Sequence, residues 1–102
     1  MPSDLPSDGF PFFAYGAALL TAMADRDRLV ILRSLVDGEM SLNALSMLTG
    51  LGRLLCSQEL ATLQAAGLVH RRVERDSAYF SCRSEKVYKV LGALDEMEQK
   101  GA

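Results

Sequence analysis

A four-residue turn near the middle of this 102-residue sequence constrains its fold more than any other feature. Thr49-Gly50-Leu51-Gly52 separates a short helical pattern, capped by Ser41, from a longer pattern that begins at Gly52 and ends near Ala66. An alternating segment with a polar tip follows over residues 69–82, which is typical of a β-hairpin. Helix, tight turn, helix and hairpin in this order predict a winged helix-turn-helix, in which the second helix of the pair enters the major groove of DNA.

Three further helices complete the predicted fold. Apolar spacing predicts one helix over residues 12–23 and another over residues 28–36, with Asp25 or Asp27 as the cap of the second. A last helix is predicted over residues 85–100. The fold class is therefore mainly α with a β-hairpin wing, in the order of four helices, a hairpin and a fifth helix.

The apolar residues of the central helix pair indicate which sides face the core. On the first helix of the pair, Leu42, Leu45 and Leu48 are expected to point inward. On the second, the same reasoning places Cys56 among the core residues, together with Leu60 and Leu63.

The composition of the N-terminus differs from that of the remaining chain. All three prolines lie in residues 1–11, among Ser, Asp and Gly, and this predicts a flexible N-terminal arm. Residues 12–100 are then one winged helix-turn-helix domain, because a chain of this length with 49% hydrophobic content has enough apolar surface for one core.

Several classes of protein are disfavoured by what the sequence lacks. No apolar run approaches the length needed to span a bilayer, and the N-terminus has no secretion signal, so we expect a cytoplasmic protein without a membrane partner. The sequence shows no nucleophile–base pair, carboxylate pair or phosphate-binding glycine loop, so we do not expect an enzyme.

Charge is unevenly distributed along the chain. The formal net charge is −2, but residues 53–86 carry six basic side chains against four acidic ones. Double-stranded DNA responds to the local field of a protein surface more than to its total charge. A small DNA-binding surface in the second half of the chain agrees with this distribution.

The first and last helices have more apolar surface than a small core can bury. A helix that is apolar on nearly every side, as over residues 12–23, suggests burial against a second subunit. The stripe of the last helix is also longer than the remaining core can use. We therefore predict a homodimer whose interface comprises Phe12, Phe13, Tyr15, Leu19, Leu20, Val87, Val90, Leu91 and Leu94.

Four stretches of the sequence resemble one family of bacterial regulators. They are Ala22-Met23-Ala24-Asp25-Arg26-Asp27-Arg28-Leu29-Val30-Ile31-Leu32, Asp37-Gly38-Glu39-Met40-Ser41 with Ala44-Leu45, Leu63-Gln64-Ala65-Ala66-Gly67-Leu68-Val69, and Ala78-Tyr79-Phe80. As an ordered set they are similar to the ArsR/SmtB family of winged-helix repressors. The resemblance implies a homodimer, built through the first and last helices, that represses transcription from a palindromic promoter site.

The resemblance also raises the question of a metal site. Many relatives sense metals through Cys pairs on the third helix, or through Asp, His and Glu on the last one. In this sequence neither helix contains His, the third contains no Cys, and His70 of the hairpin is the only histidine. Tight transition-metal sites need three or four convergent N or S ligands, so we predict neither a metal site nor a cofactor.

Two cysteines remain as candidate redox thiols, Cys56 and Cys82. Some relatives sense oxidants through a Cys pair that joins the second and last helices, whereas the matching part of the second helix here holds Arg33 and Ser34. A small buried hydrophobic side chain is the alternative role for Cys56.

Eight residues are predicted to contact DNA. Arg53 is able to contact guanine or phosphate, and Leu54 stands where relatives carry a hydroxyl and can reach a thymine methyl. For the hairpin arginines the alternative is a solvated wing in which Arg71 or Arg72 stacks on Tyr79. The predicted residues are Arg53, Leu54, Ser57, Gln58 and Thr62 in the second helix of the pair, and Arg71, Arg72 and Arg75 in the wing.

One residue in the second helix of the pair weakens the prediction of DNA contact. Glu59 replaces a His of the family pattern and either places a negative charge near the phosphates or pairs within the protein. An alternative function is therefore a winged-helix protein that has lost sequence-specific reading and acts by protein contact, as antagonist or heterodimer partner of a related regulator. Thiol redox sensing is compatible with either function.

Overall fold

The computed structural model describes residues 13–100, and it confirms the predicted order of helices and hairpin with one short strand added. The predicted arm, residues 1–11, and Phe12 of the predicted interface lie outside the described residues. Within the described range the elements are α1 (Ala14–Met23), α2 (Arg26–Leu35), β1 (Met40–Ser41), α3 (Leu42–Thr49), α4 (Arg53–Ala65), β2 (His70–Glu74), β3 (Ser77–Ser81) and α5 (Glu85–Lys100).

Polar side chains cap the helices that lead into the helix pair. The Asp25 carboxylate accepts hydrogen bonds from the backbone N–H groups of Asp27 and Arg28, at 2.8 and 3.1 Å, so Asp25 rather than Asp27 caps α2. The Ser41 hydroxyl accepts a hydrogen bond from the Ala44 N–H at 3.0 Å and caps α3. Such caps satisfy N–H groups that have no partner within the helix, and so fix where each helix begins.

Two glycines form the turn between α3 and α4. Gly50 ends α3 with a φ of 74°, and Gly52 precedes α4 with a φ of 82°. Residues other than glycine rarely adopt a positive φ, because their Cβ then crowds the backbone. The predicted turn is confirmed, and its two glycines explain why the chain can reverse within so few residues.

The wing is a three-stranded antiparallel sheet in the order β1-β3-β2. Arg72 of β2 lies opposite Tyr79 of the central strand, and Ser41 of β1 lies on the other side of Tyr79. The sequence did not predict β1, since two residues are too few to show an alternating pattern. This short strand ties the start of α3 to the wing.

One core holds the helices and the sheet together. Its residues come from every helix and from β3, and α4 packs against α1, α2 and α3. The buried apolar residues are Leu19, Met23, Ile31, Leu32, Leu35, Leu45, Cys56, Leu60, Leu63, Leu68, Val69, Phe80, Cys82, Val87 and Leu91.

No helix in the described part of the chain is both long and apolar enough to cross a membrane.

The prediction that Leu48 faces the core is wrong. The inward positions of α3 are Leu42, Leu45, Ser46 and Thr49, which are spaced i, i+3, i+4 and i+7 and form one stripe of a helix. Leu48 lies outside this stripe and is 64% exposed. Because Ser46 is polar, the spacing of apolar residues in the sequence does not identify this stripe.

Three residues of the predicted dimer interface require a correction. Val87 is completely buried in its own chain, and Leu19 and Leu91 are nearly so. They pack in the core and have little or no side-chain surface left for a second subunit. The apolar stripe of α5 therefore contributes to the core of its own chain, through Val87 and Leu91.

Other residues of the predicted interface are available. Phe13 is 76% exposed, and Tyr15 and Leu20 of α1 are also more than half exposed. Val90 and Leu94 of α5 are half-buried. Assignment of these five residues to a subunit interface stays a prediction.

The turn generates a stability prediction. We expect Gly50→Ala to lower the free energy of unfolding by about 1 kcal/mol, because alanine resists the left-handed conformation while its Cβ would meet no neighbouring atom. Gly50→Asn is the matched control and should lose less, since asparagine visits this conformation. Urea unfolding measures both variants, and an equal loss for Ala and Asn would contradict the assignment of the cost to backbone conformation.

Candidate nucleic-acid interface

Helix α4 has a buried side and an exposed side. Cys56, Leu60 and Leu63 are buried at a spacing of i, i+4 and i+7. Apart from Glu59, the other side chains of the helix are exposed, as expected for a helix with one side on the core. The five residues of this helix that were predicted to contact DNA are all exposed: Arg53, Leu54, Ser57, Gln58 and Thr62.

The start of α4 is open to a ligand. Gly52, in the cap position, has no side chain that could accept a hydrogen bond from the first turn. N–H groups at a helix start attract phosphate oxygens, and the positive end of the helix dipole adds to that attraction. The helix dipole does not stabilise the positive charge of Arg53 at this end of the helix. The position of Arg53 is therefore better explained by binding of an external anion than by a contribution to helix stability.

A polar concavity of about 280 Å³ connects the start of α4 with the wing. Arg53 and Arg71 both line it, although eighteen residues separate them in the sequence. Asn43 of α3 and Ser77 of β3 contribute polar side chains, and Asp76 contributes a carboxylate. Two guanidinium groups beside such groups fit a DNA phosphate, while Asp76 limits the positive potential.

Sequence reasoning missed Asn43, Asp76 and Ser77 as members of this concavity. Asn43 follows the Ser41 cap by two residues and is exposed, and the pairing of β1 with β3 that brings the start of α3 beside the wing gives no sequence signal. Asp76 and Ser77 belong to the polar tip of the hairpin, and their sequence pattern indicates a turn but no binding role.

The alternation of β2 sends Arg71 and Arg72 to opposite faces of the sheet. Arg71 lies opposite Phe80, on the face that packs against the helices, and so reaches the concavity. Arg72 lies opposite Tyr79, and its guanidinium carbon is 4.7 Å from the centre of that ring. The alternative in which one wing arginine stacks on Tyr79 is thus realised by Arg72.

Arg72 is also held by two carboxylates. Its Nε and Nη2 donate to the two oxygens of Glu39 at 3.0 and 2.8 Å, and Nη1 donates to Glu74. Hydrogen bonds from Arg72 hold the pKa of the Glu39 carboxyl below its usual range. This contact is complete above the ordinary pKa of a glutamate and is lost as pH falls through the lowered value. Contact of Arg72 with DNA stays a prediction, and in this structure its ion pairs link the wing to the loop before β1.

Arg75 occupies the tip of the hairpin. It is exposed and has a φ of 58°, a left-handed value that is uncommon for a residue with a side chain. Within the described chain no ion pair is formed by Arg53, Arg71 or Arg75. These three guanidinium groups are therefore unpaired cations, among the described residues, on the surface around α4 and the wing.

Glu59 does not project toward the surface that would face DNA. Its carboxylate accepts a hydrogen bond from Arg28 Nη1 at 2.9 Å, and the two side chains are only 15% and 19% exposed. Arg28 Nε donates in addition to the Ala22 carbonyl at 2.7 Å. Of the two alternatives for Glu59, the internally paired carboxylate is the one the structure contains. The pair ties α4 to the junction of α1 and α2.

Three carboxylates meet at this junction, from Asp25, Asp27 and Glu59. Asp25 is engaged as the cap of α2, and Glu59 is engaged by Arg28. All three are oxygen ligands, unlike the N and S ligands that transition metals prefer. The predicted absence of a metal site stays a prediction.

Both thiols are buried. Burial raises the pKa of Cys56, and it also raises that of Cys82, where the Ser84 backbone N–H acts in the opposite direction. A raised pKa reduces the fraction of thiolate, which is the reactive form. Cys56 fills the core position predicted for it, and redox activity of either thiol is not favoured by this environment.

A second concavity, of about 470 Å³, lies between α2 and α5. Its apolar lining includes Leu29, Val30 and Leu94, and an ion pair of 3.1 Å joins Arg33 to Asp95 across it. Where the family resemblance suggested a Cys pair between these helices, the chain thus has a charged pair.

The helix pair, the exposed side of α4 and the basic wing together define a winged helix-turn-helix DNA-binding domain. No protein-family model matches the sequence. Nodulation protein NolR of Rhizobium meliloti is 40% identical over 93 residues, which make up 91% of this chain and 76% of that protein. Transcriptional activator HlyU of Vibrio cholerae is 36% identical over 84 residues, or 82% of this chain and 78% of that protein.

Solved structures agree with the sequence relatives. NolR from Sinorhizobium fredii superposes with a TM-score of 0.81 at 40% identity, covering 91% of this chain and 93% of that one. The homodimeric winged helix-turn-helix DNA-binding domain Mb0332 from Mycobacterium bovis has a TM-score of 0.78 at 25% identity, covering 95% and 90%. The chain belongs to the ArsR/SmtB family of winged-helix transcriptional regulators, as the sequence predicted. It is a DNA-binding transcriptional regulator and not an enzyme.

The pairing of Glu59 generates a second stability prediction. We expect Glu59→Ala to lower the free energy of unfolding by about 1–3 kcal/mol, because it leaves Arg28 half-buried without its charged partner. A double-mutant cycle with Arg28→Ala, followed by urea unfolding, should give a coupling of at least about 0.5 kcal/mol. Arg26→Ala is the control, since its pair with Asp27 is exposed, and a change within about 0.5 kcal/mol is expected. Additive effects of Arg28→Ala and Glu59→Ala would contradict the proposed role of the pair.

The separation of Arg71 from Arg72 predicts different salt dependences of DNA binding. Arg71→Gln should reduce the slope of log Kd against log salt by about one for each Arg71 that contacts a phosphate. Arg72→Gln should weaken binding by loosening the wing while leaving the slope unchanged. Fluorescence anisotropy titrations over a range of salt concentrations distinguish the two, and equal slope changes would show that both arginines contact the backbone.

Proposed function

We propose that this regulator binds a palindromic promoter site as a homodimer and represses transcription from it. The observation that carries the proposal is the convergence of Arg53 and Arg71 on one concavity beside the exposed side of α4. This arrangement lets the helix enter the major groove while the two guanidinium groups hold an adjacent phosphate. Arg75 at the wing tip then reaches the neighbouring backbone or minor groove.

A homodimer is supported by the apolar surface of the first helix. Among the described residues, Phe13, Tyr15 and Leu20 are large apolar or aromatic residues that are more than half exposed. The related domain Mb0332 is homodimeric. A two-fold dimer presents two copies of α4 about one turn of DNA apart, so a palindromic site is the geometry that matches it.

We propose that the regulator represses transcription rather than activating it. Its proposed location is the cytoplasm. The sequence relatives include a biofilm growth-associated repressor from Xylella fastidiosa as well as the activator HlyU. A winged-helix dimer bound at a promoter blocks access of other proteins to that DNA, so occlusion of a promoter is the simplest way for it to act. No cofactor is part of the proposal.

Selection from random DNA sequences at low salt tests the proposal directly. We expect the selected sequences to share a motif made of two inverted half-sites. A promoter that contains this motif, fused to a reporter, should then be expressed less when the regulator is present. Selection without any shared motif would overturn the proposal and favour a protein that acts by protein contact.

The dimer generates a separate prediction. Leu20→Asp should convert the protein to a monomer, because it places a charge within the proposed apolar interface, and its affinity for the two-half-site DNA should fall at least tenfold. Analytical ultracentrifugation measures the mass. Met47→Asp, at an exposed position of α3, is the control and should remain dimeric. A Leu20→Asp protein of unchanged mass would place the interface elsewhere.

A further inference from the structure

Helix α4 has an apolar side chain at the point farthest from its core. The buried residues of this helix are Cys56, Leu60 and Leu63. The exposed residues that lie two positions before each of them are Leu54, Gln58 and Ala61, and so they have the same spacing. Two residues correspond to a rotation of about 200° around the helix axis, so this second stripe is directly opposite the core. We call Leu54, Gln58 and Ala61 the outward stripe.

The outward stripe carries no charge, and Leu54 is its most apolar member. The Leu54 side chain is 74% exposed and makes no packing contribution to the hydrophobic core. Exposure of so large an apolar side chain costs free energy in water. A contact outside the chain that buries the isobutyl group would recover this free energy.

The geometry of the site indicates what that contact is. Leu54 directly follows Arg53, whose guanidinium lines the concavity beside the wing. If Arg53 and Arg71 hold a phosphate there, the outward stripe lies over the base edges of the major groove. The apolar group that DNA presents in that groove is the C5-methyl of thymine.

We propose that Leu54 recognises the thymine C5-methyl group, and that the bound DNA therefore carries a T·A base pair under the first turn of α4 in each half-site. This inference rests on the proposed function and adds the base that one residue reads. Ala61, two turns further along the same stripe, is small enough to leave that approach open.

Replacement of thymine by deoxyuridine tests the proposal on the selected DNA. Deoxyuridine pairs with adenine as thymine does and lacks only the methyl group. Each thymine of one half-site is replaced in turn, and Kd is measured by fluorescence anisotropy. We expect the native protein to bind about fourfold more weakly when the methyl group that Leu54 buries is missing.

Variants of Leu54 separate a side-chain contact from an effect on DNA shape. Leu54→Ala should bind thymine and deoxyuridine DNA with nearly equal affinity, whereas Leu54→Met should still discriminate. Because Leu54 is exposed, these variants do not disturb the core. Leu48→Ala is the matched control, an exposed leucine on α3, and should discriminate as the native protein does.

The outcomes distinguish this inference from the proposed function. A selected motif whose binding is unchanged by every thymine replacement overturns the role of Leu54 and leaves the regulator intact. The same holds if discrimination persists in Leu54→Ala, or if Leu54→Ala leaves the affinity for thymine DNA unchanged, as expected when this side chain meets a protein instead. Failure to select any motif overturns both.

Discussion

Burial of one side of α4 determines most of what this molecule presents to a partner. Cys56, Leu60 and Leu63 pack into the core against the helices around them, and this contact sets the rotation of α4 about its own axis. Once that rotation is set, every other side chain of the helix has a defined direction. The Glu59–Arg28 pair lies at the edge of the buried side and holds the helix against the junction of α1 and α2. The exposed side is thus a consequence of the core.

Internal ion pairs decide which arginines remain available to an anion. Arg28, Arg33 and Arg72 each have a carboxylate partner within about hydrogen-bond distance, and all three partners come from distant parts of the sequence. Arg53 and Arg71 have none among the described residues and converge on one concavity. A protein of net charge −2 can in this way present a basic surface, because its acidic side chains neutralise arginines elsewhere. Local pairing matters more to DNA binding than the total charge.

The helices and their caps could be predicted from the sequence because they depend on neighbouring residues. Ser41, Gly50 and Gly52 act within one turn of a helix end, and the spacing of Cys56 and Leu60 reports their own burial. Contacts between distant residues left no such signal. The Glu59–Arg28 pair spans 31 residues. The separation of Arg71 from Arg72 requires the register of β2 against β3, and the correction at Val87 required knowledge of what α5 packs against.

The outward stripe of α4 has a consequence for the evolution of such regulators. Its residues have no part in the core, so substitutions there change what the helix meets without changing whether the chain folds. Mutations at Cys56 or Leu60 are constrained by the stability of the fold, while in the proposed complex those at Leu54 and its stripe are constrained only by the DNA sequence that is read. Duplicated copies of a gene with this architecture can therefore acquire separate operators by a few substitutions on one side of one helix, and their folds need not diverge at all.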